Sequence, residues 1–122
     1  MKKYTRLIPL LAIFVVPVIA SATDYTVTNT NDSGAGSLRE AYTSANSAYG
    51  PDNIYFNIPM SDQGYNSTSG TWTIQFQTAL PYLATGYITV DGTTQAANQG
   101  NTNPDGPEIV IDGNNAVEYA FC

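Results

Sequence analysis

The groups on which this chain could found any chemistry are few: Arg39, ten acidic side chains, and an Asn/Ser/Glu run between residues 29 and 40. Histidine is absent from the 122 residues and cysteine occurs once, as Cys122. His/Cys zinc sites, Ser-His-Asp triads and Cys-His nucleophile pairs are thereby excluded. The hydrolytic chemistry left open is that of paired carboxylates. Yet Asp91, Asp105 and Asp112 each stand directly before a glycine, and turn formation accounts for them without acid/base work. No catalytic residue is assigned. For Arg39 the expected role is a structural ion pair with Asp32 or Asp52.

Asn29, Asn31, Ser33, Gly34 and Glu40 fall at positions 1, 3, 5, 6 and 12 of an EF-hand loop. They form a calcium candidate. Against it stand Asn rather than Asp at position 1, a strand pattern ahead of the loop, and a competing use for Glu40 in a helix cap. An Asn/Gly-rich turn feeding a helix is the alternative, and neither metal nor any other cofactor is assigned. Tyr55 and Tyr87, with Thr73, Gln75 and Thr89, have the composition of a neutral sugar-binding face. Rings stack on apolar sugar faces, while amides and hydroxyls take the polar edges. A merely solvated β-surface has the same composition.

Charge narrows the partners. Lys2, Lys3 and Arg6 precede residue 7, so loss of the N-terminal segment leaves Arg39 against ten acids (1 − 10 = −9, from −6 for the full chain). So few cations cannot hold a polyanion by counterion release, which excludes nucleic acid and disfavours acidic glycans. Residues 1–22 have the pattern of a secretory signal. A basic start leads into an apolar run over 7–19, and Ala20-Ser21-Ala22 sets cleavage after Ala22. The run is shorter than the roughly 20 residues of a membrane span and carries Pro9 and Pro17. The expected product is an exported chain, 23–122, with no transmembrane segment. Cys122 has no cysteine to pair with, so either the chain is a fragment of a longer reading frame or Cys122 bridges two molecules.

Positioning falls to short alternating strands and one helix. Period-two patterns occupy 25–30, 53–58, 71–77, 87–91 and 108–112, with Trp72, Ile74 and Phe76 the clearest inward set. Ile88 and Val90, like Ile109 and Ile111, are expected inward. Leu38, Ala41, Tyr42, Ala45 and Tyr49 follow helical spacing instead. Ser37 and Glu40 compose a capping box, and Gly50-Pro51 ends the segment. A single helix rules out a doubly wound α/β fold. Ile88-Thr89-Val90-Asp91-Gly92 returns as Ile109-Val110-Ile111-Asp112-Gly113, 21 residues on. Such a return suits a coil-stacked solenoid; a β-sandwich with frequent turns fits it about as well.

Residues 27–41, ending Gly36-Ser37-Leu38-Arg39-Glu40-Ala41, resemble the opening signature of bacterial exported β-helix proteins labelled by a Cys-Ser-Leu-Arg-Glu-Ala motif. Residues 52–56, Leu80-Pro81, 88–95 and 106–113 resemble the same family. Gly36 stands where the label has Cys, and Tyr42 where an aliphatic residue is usual. The resemblance implies an all-β, right-handed parallel β-helix. Residues 23–122 would be its N-terminal cap and first coils, with Ser37, Leu38, Arg39, Glu40 and Ala41 in the capping helix. Family members are long secreted or surface proteins, many adhesin-like. The expected function is therefore a non-enzymatic adhesin-like or scaffold segment meeting neutral glycans or surface proteins. The alternative is the start of a β-helix carbohydrate-active enzyme, a lyase or glycosidase, with its catalytic coils beyond residue 122. Residues 118–122 would leave an open strand edge prone to self-association.

Overall fold

The computed structural model describes Met1, residues 21–84 and residues 87–115. The signal pattern, apart from Met1, Ser21 and Ala22, lies outside the described residues. So do Cys122 and the edge expected at 118–122.

Among the described residues, six strands and two helices follow in the order β1 (Asp24–Val27), α1 (Leu38–Ser47), β2 (Asp52–Phe56), β3 (Tyr65–Asn66), β4 (Thr71–Gln75), β5 (Ile88–Asp91), α2 (Thr93–Gln99) and β6 (Ile109–Asp112). The first sheet has the order β1-β2-β5 and is parallel throughout. The second has the order β3-β4-β6, with β3 antiparallel to β4 and β4 parallel to β6.

This architecture corrects the expected β-helix. The described residues are mixed α/β, with two helices and two three-stranded sheets that do not close into a solenoid. The near-identical Ile-x-x-Asp-Gly strands explain the difference. Instead of stacking on one another, β5 joins β2 in the first sheet and β6 joins β4 in the second. A helix, α2, stands after the Asp91-Gly92 corner, and an antiparallel hairpin stands where another coil was expected. A repeat in strand sequence therefore does not set strand partnership here.

The core forms where apolar residues recur every second position. Ile54 and Phe56 on β2, Trp72 and Ile74 on β4, and the following Ile58 and Phe76 are all essentially inaccessible to solvent. β-Branched and aromatic side chains suit such a half-buried pleated surface. Burying each contributes about 1.5–3 kcal/mol. Trp72 also donates its indole N–H to the Pro59 carbonyl at 3.0 Å and packs its ring 4.5 Å from that of Tyr65. Outer strands are less complete. Val90, expected inward, is 37% exposed, and Ile88, Ile109 and Ile111 are only half-buried. Each of β5 and β6 has a strand partner on one side only among the described residues.

α1 packs on β1 and β2 through Leu38, Ala41, Tyr42 and Ala45, the stripe expected from its spacing. Tyr49 lies beyond the helix and is exposed. Ser37 is the N-cap, its Oγ accepting from the Glu40 N–H at 3.2 Å. The return half of the capping box differs. Glu40 Oε2 accepts from the Gly36 N–H at 2.6 Å, one residue earlier than expected. Gly36 has φ +77°, and a Cβ there would collide with the Thr28 and Asn29 side chains. A glycine at this position is thus required by this backbone.

α2 has no apolar stripe. It is held by polar side chains satisfying the backbone at the end of β2 and just beyond it. Gln95, fully buried, accepts from the Ile58 N–H at 2.9 Å and donates to the Ile58 carbonyl at 2.7 Å. Thr94 Oγ1 accepts from the Phe56 N–H, and Asn98 donates to the Phe56 carbonyl. The helix thus supplies the partners another strand would offer, as buried backbone groups require.

Candidate functional site

The loop after β1 is shaped by its own short polar residues. Asn29 Oδ1 accepts from the Asn31 N–H, an Asx-type turn, and its amide donates to the Ala35 carbonyl at 2.8 Å. The Gly36 carbonyl accepts from the Thr28 and Asn29 N–H groups. Two anchors hold this loop against the second sheet. Asp62 takes the Thr30 hydroxyl at 2.5 Å, the Thr30 N–H at 3.3 Å and the Gly64 N–H at 2.8 Å. Gln63 donates to Asn31 Oδ1 at 3.0 Å.

The second anchor is Arg39. Its guanidinium donates to Asp32 Oδ1 at 2.9 Å and to the Asp32 carbonyl at 3.0 Å. It also donates to the carbonyls of Thr78 (2.6 Å) and Ala79 (2.9 Å), and lies 5.3 Å over the Phe76 ring. Of the two partners expected for Arg39, Asp32 is therefore the one used. Asp32 Oδ1 further accepts the Gln77 N–H at 3.0 Å. The Arg39 hydrogen bond first, then that of Gln77, hold the Asp32 carboxyl below its ordinary range.

Between loop and sheet runs an open groove of about 370 Å³, lined by Thr30, Asn31, Asp32, Ser33, Gln63, Gly64, Thr73, Gln75 and Gln77. Seven of its nine lining residues carry a side-chain amide or hydroxyl. The single carboxylate in it, Asp32, is neutralised by Arg39. At the rim the Gln75 amide donates to Asp112 Oδ2 at 3.1 Å. The Asn114 N–H and this amide hold the Asp112 carboxyl below its usual range. Amides and hydroxyls both donate and accept, so the surface can match a neutral polyhydroxylated ligand.

The sugar face expected from sequence is not assembled. Tyr55 and Thr89 belong to the first sheet and Thr73 and Gln75 to the second. Tyr87, at φ +89°, is exposed just before β5 and does not line the groove. Of that set only Thr73 and Gln75 enter the groove. Among the calcium-candidate residues, the Asn29, Asn31 and Glu40 oxygens named above accept N–H groups, and Ser33 lines the groove. No cluster of three or more His, Cys, Asp or Glu suited to a metal occurs among the described residues. Asp62, Gln63 and Gln77 were missed from sequence. The Ser61-Asp62-Gln63-Gly64 turn signal was the cue for the first two.

No helix among the described residues is long and apolar enough to cross a membrane. No protein-family model, curated protein or solved structure matches the chain.

Proposed function

We propose that the chain is an exported, non-enzymatic binding segment displayed at a cell surface, and that its groove receives a neutral glycan. Export is supported by the basic start, apolar run and Ala20-Ser21-Ala22 site, together with the likeness of residues 27–41 to the opening of bacterial exported proteins. The observation that carries the binding reading is the groove itself. Its wall combines amides, hydroxyls and a carboxylate already paired with Arg39. That wall offers directional hydrogen bonds without an uncompensated charge, and the acidic chain around it repels uronates and phosphates.

The test is calorimetric titration of the exported chain with neutral oligosaccharides and with matched uronate-containing ones. Binding of neutral members only, weakened about tenfold by Gln77→Ala through loss of one hydrogen-bonding amide, is the expected result. Absence of neutral binding refutes the proposed ligand. Release of unsaturated ends from pectin or alginate refutes the non-enzymatic role.

A further inference from the structure

Asp52 is the most deeply buried carboxylate described, 1% exposed, and the groove makes no use of it. Its Oδ1 accepts the Thr23 backbone N–H at 3.0 Å. Its Oδ2, equally buried, has no hydrogen-bond partner among the described residues. An anion in such a place requires a cation or several donors. Side chains cannot supply the cation. Residues 23–122 contain no lysine and only Arg39, which is committed to Asp32.

The backbone nitrogen at Asp52 belongs to Thr23, the residue that the Ala20-Ser21-Ala22 pattern makes first after cleavage. Thr23 is also where the chain becomes anchored. Its carbonyl accepts the Asn53 N–H at 2.9 Å, and β1 begins at the next residue. Ser21, Ala22 and Thr23 are exposed, so a peptidase can reach the bond between the last two.

We propose that Asp52 is the receptor for the α-ammonium created when the segment ending at Ala22 is removed, so that processing completes the fold. This inference rests on the export reading. A signal peptidase adds water across the Ala22–Thr23 amide. Water oxygen joins the Ala22 carbonyl carbon, the C–N bond breaks, and Thr23 nitrogen ends as –NH3⁺ beside the released Ala22 carboxylate. One amide donor becomes three donors with a positive charge. One stays on Asp52 Oδ1 and a second reaches Oδ2.

Other ionisable groups on the elements packed against β2 are Asp24 and Tyr25 on β1, Asp91 on β5, and Arg39, Glu40 and Tyr42 on α1, with Tyr87 just ahead of β5. Asp24 accepts from the exposed Asn53 amide at 2.9 Å, and Arg39 is held by Asp32. Neither replaces the ammonium at Asp52.

Because residues 23–122 lack lysine, the processed chain has one primary amine, and that amine can be titrated alone. The chain is exported from a bacterial host, its intact mass is recorded, and its amine is acylated at graded pH, both folded and in guanidinium. The expected mass begins at Thr23. At pH 7 the folded amine should react at least tenfold more slowly than the unfolded one, whose pKa is about 7.7–8.0. Asp52→Asn, close in shape and still an acceptor at Oδ1, should abolish most of that difference. A product starting elsewhere overturns the export reading on which the inference rests. The correct mass with equal folded and unfolded reactivity overturns the Asp52 pairing alone. That comparison needs only the unsubstituted chain, so it stands even if Asp52→Asn does not fold.

Discussion

Replacing Arg39 by Met tests how much of the groove's anchoring rests on its guanidinium. A lone exposed ion pair contributes about 0–1 kcal/mol, which would make the substitution nearly silent. Arg39 does more than pair. It makes four hydrogen bonds of 2.6–3.0 Å to three residues, on a side chain only 17% exposed. At roughly 1 kcal/mol net for each bond, with a discount for water reaching the Thr78 and Ala79 carbonyls, the loss is about 3 kcal/mol. For a chain of this size that lowers Tm by about 12–24 °C. Met keeps an apolar side chain of comparable length, while the guanidinium's contact over the Phe76 ring is lost together with the hydrogen bonds. Arg39→Lys, a point charge without the fork, should recover roughly half. The assay is thermal unfolding followed by the fluorescence of Trp72, the one tryptophan, across a pH series. Arg39 is the main reason that the Asp32 pKa is lowered. The part of the stabilisation that comes from the Asp32 carboxylate is therefore complete above the unfolded carboxylate value of about 3.9 and is lost as pH falls through the lower folded value. The gap between wild type and Arg39→Met should narrow in acid by the share due to the Asp32 carboxylate, while the share due to the three carbonyl bonds persists. A gap below about 0.5 kcal/mol at pH 7, within ordinary surface-mutation scatter, or one that widens in acid, refutes the reasoning.

Three further outcomes follow from the same geometry. Gln95→Leu fills the space but strands the Ile58 N–H and C=O, and should cost about 2–4 kcal/mol in chemical denaturation; a neutral result would show that α2 is not held by its amide. Gly70 has φ +69°, and a Cβ there would collide with the Thr102 carbonyl. Gly70→Ala should therefore destabilise by more than about 2 kcal/mol, checked by urea midpoint. Val90 and Val110, 37% and 38% exposed on strands paired on one side among the described residues, are expected to promote association, and Val110→Lys should reduce it in sedimentation velocity.

α1 was legible because its information is local: four apolar residues at helical spacing and a serine at the start. β2 and β4 were legible for the same reason, each alternating within five residues. What escaped was everything set by distant partners. α2 is a run of Thr, Gln, Ala and Asn whose fixing contacts, to Phe56 and Ile58, lie 37 to 42 residues away. Alternation also does not say which strand a strand will join, so two matching sequences at 88 and 109 entered different sheets. The β-helix expectation failed there. The groove was half legible. Thr73 and Gln75 were named for their chemistry, but their neighbours come from segments around residues 30 and 63 that only the folded chain brings together.

The most direct test of the groove as a binding site is the amide NMR spectrum of the chain during titration with a neutral oligosaccharide. The side-chain amides of Asn31, Gln63, Gln75 and Gln77 should shift together and saturate, while those of Gln95 and Asn98 stay fixed. Saturating shifts confined instead to the backbone around Tyr49, Tyr82 and Tyr87, or no shifts at all, would contradict the assignment of this groove.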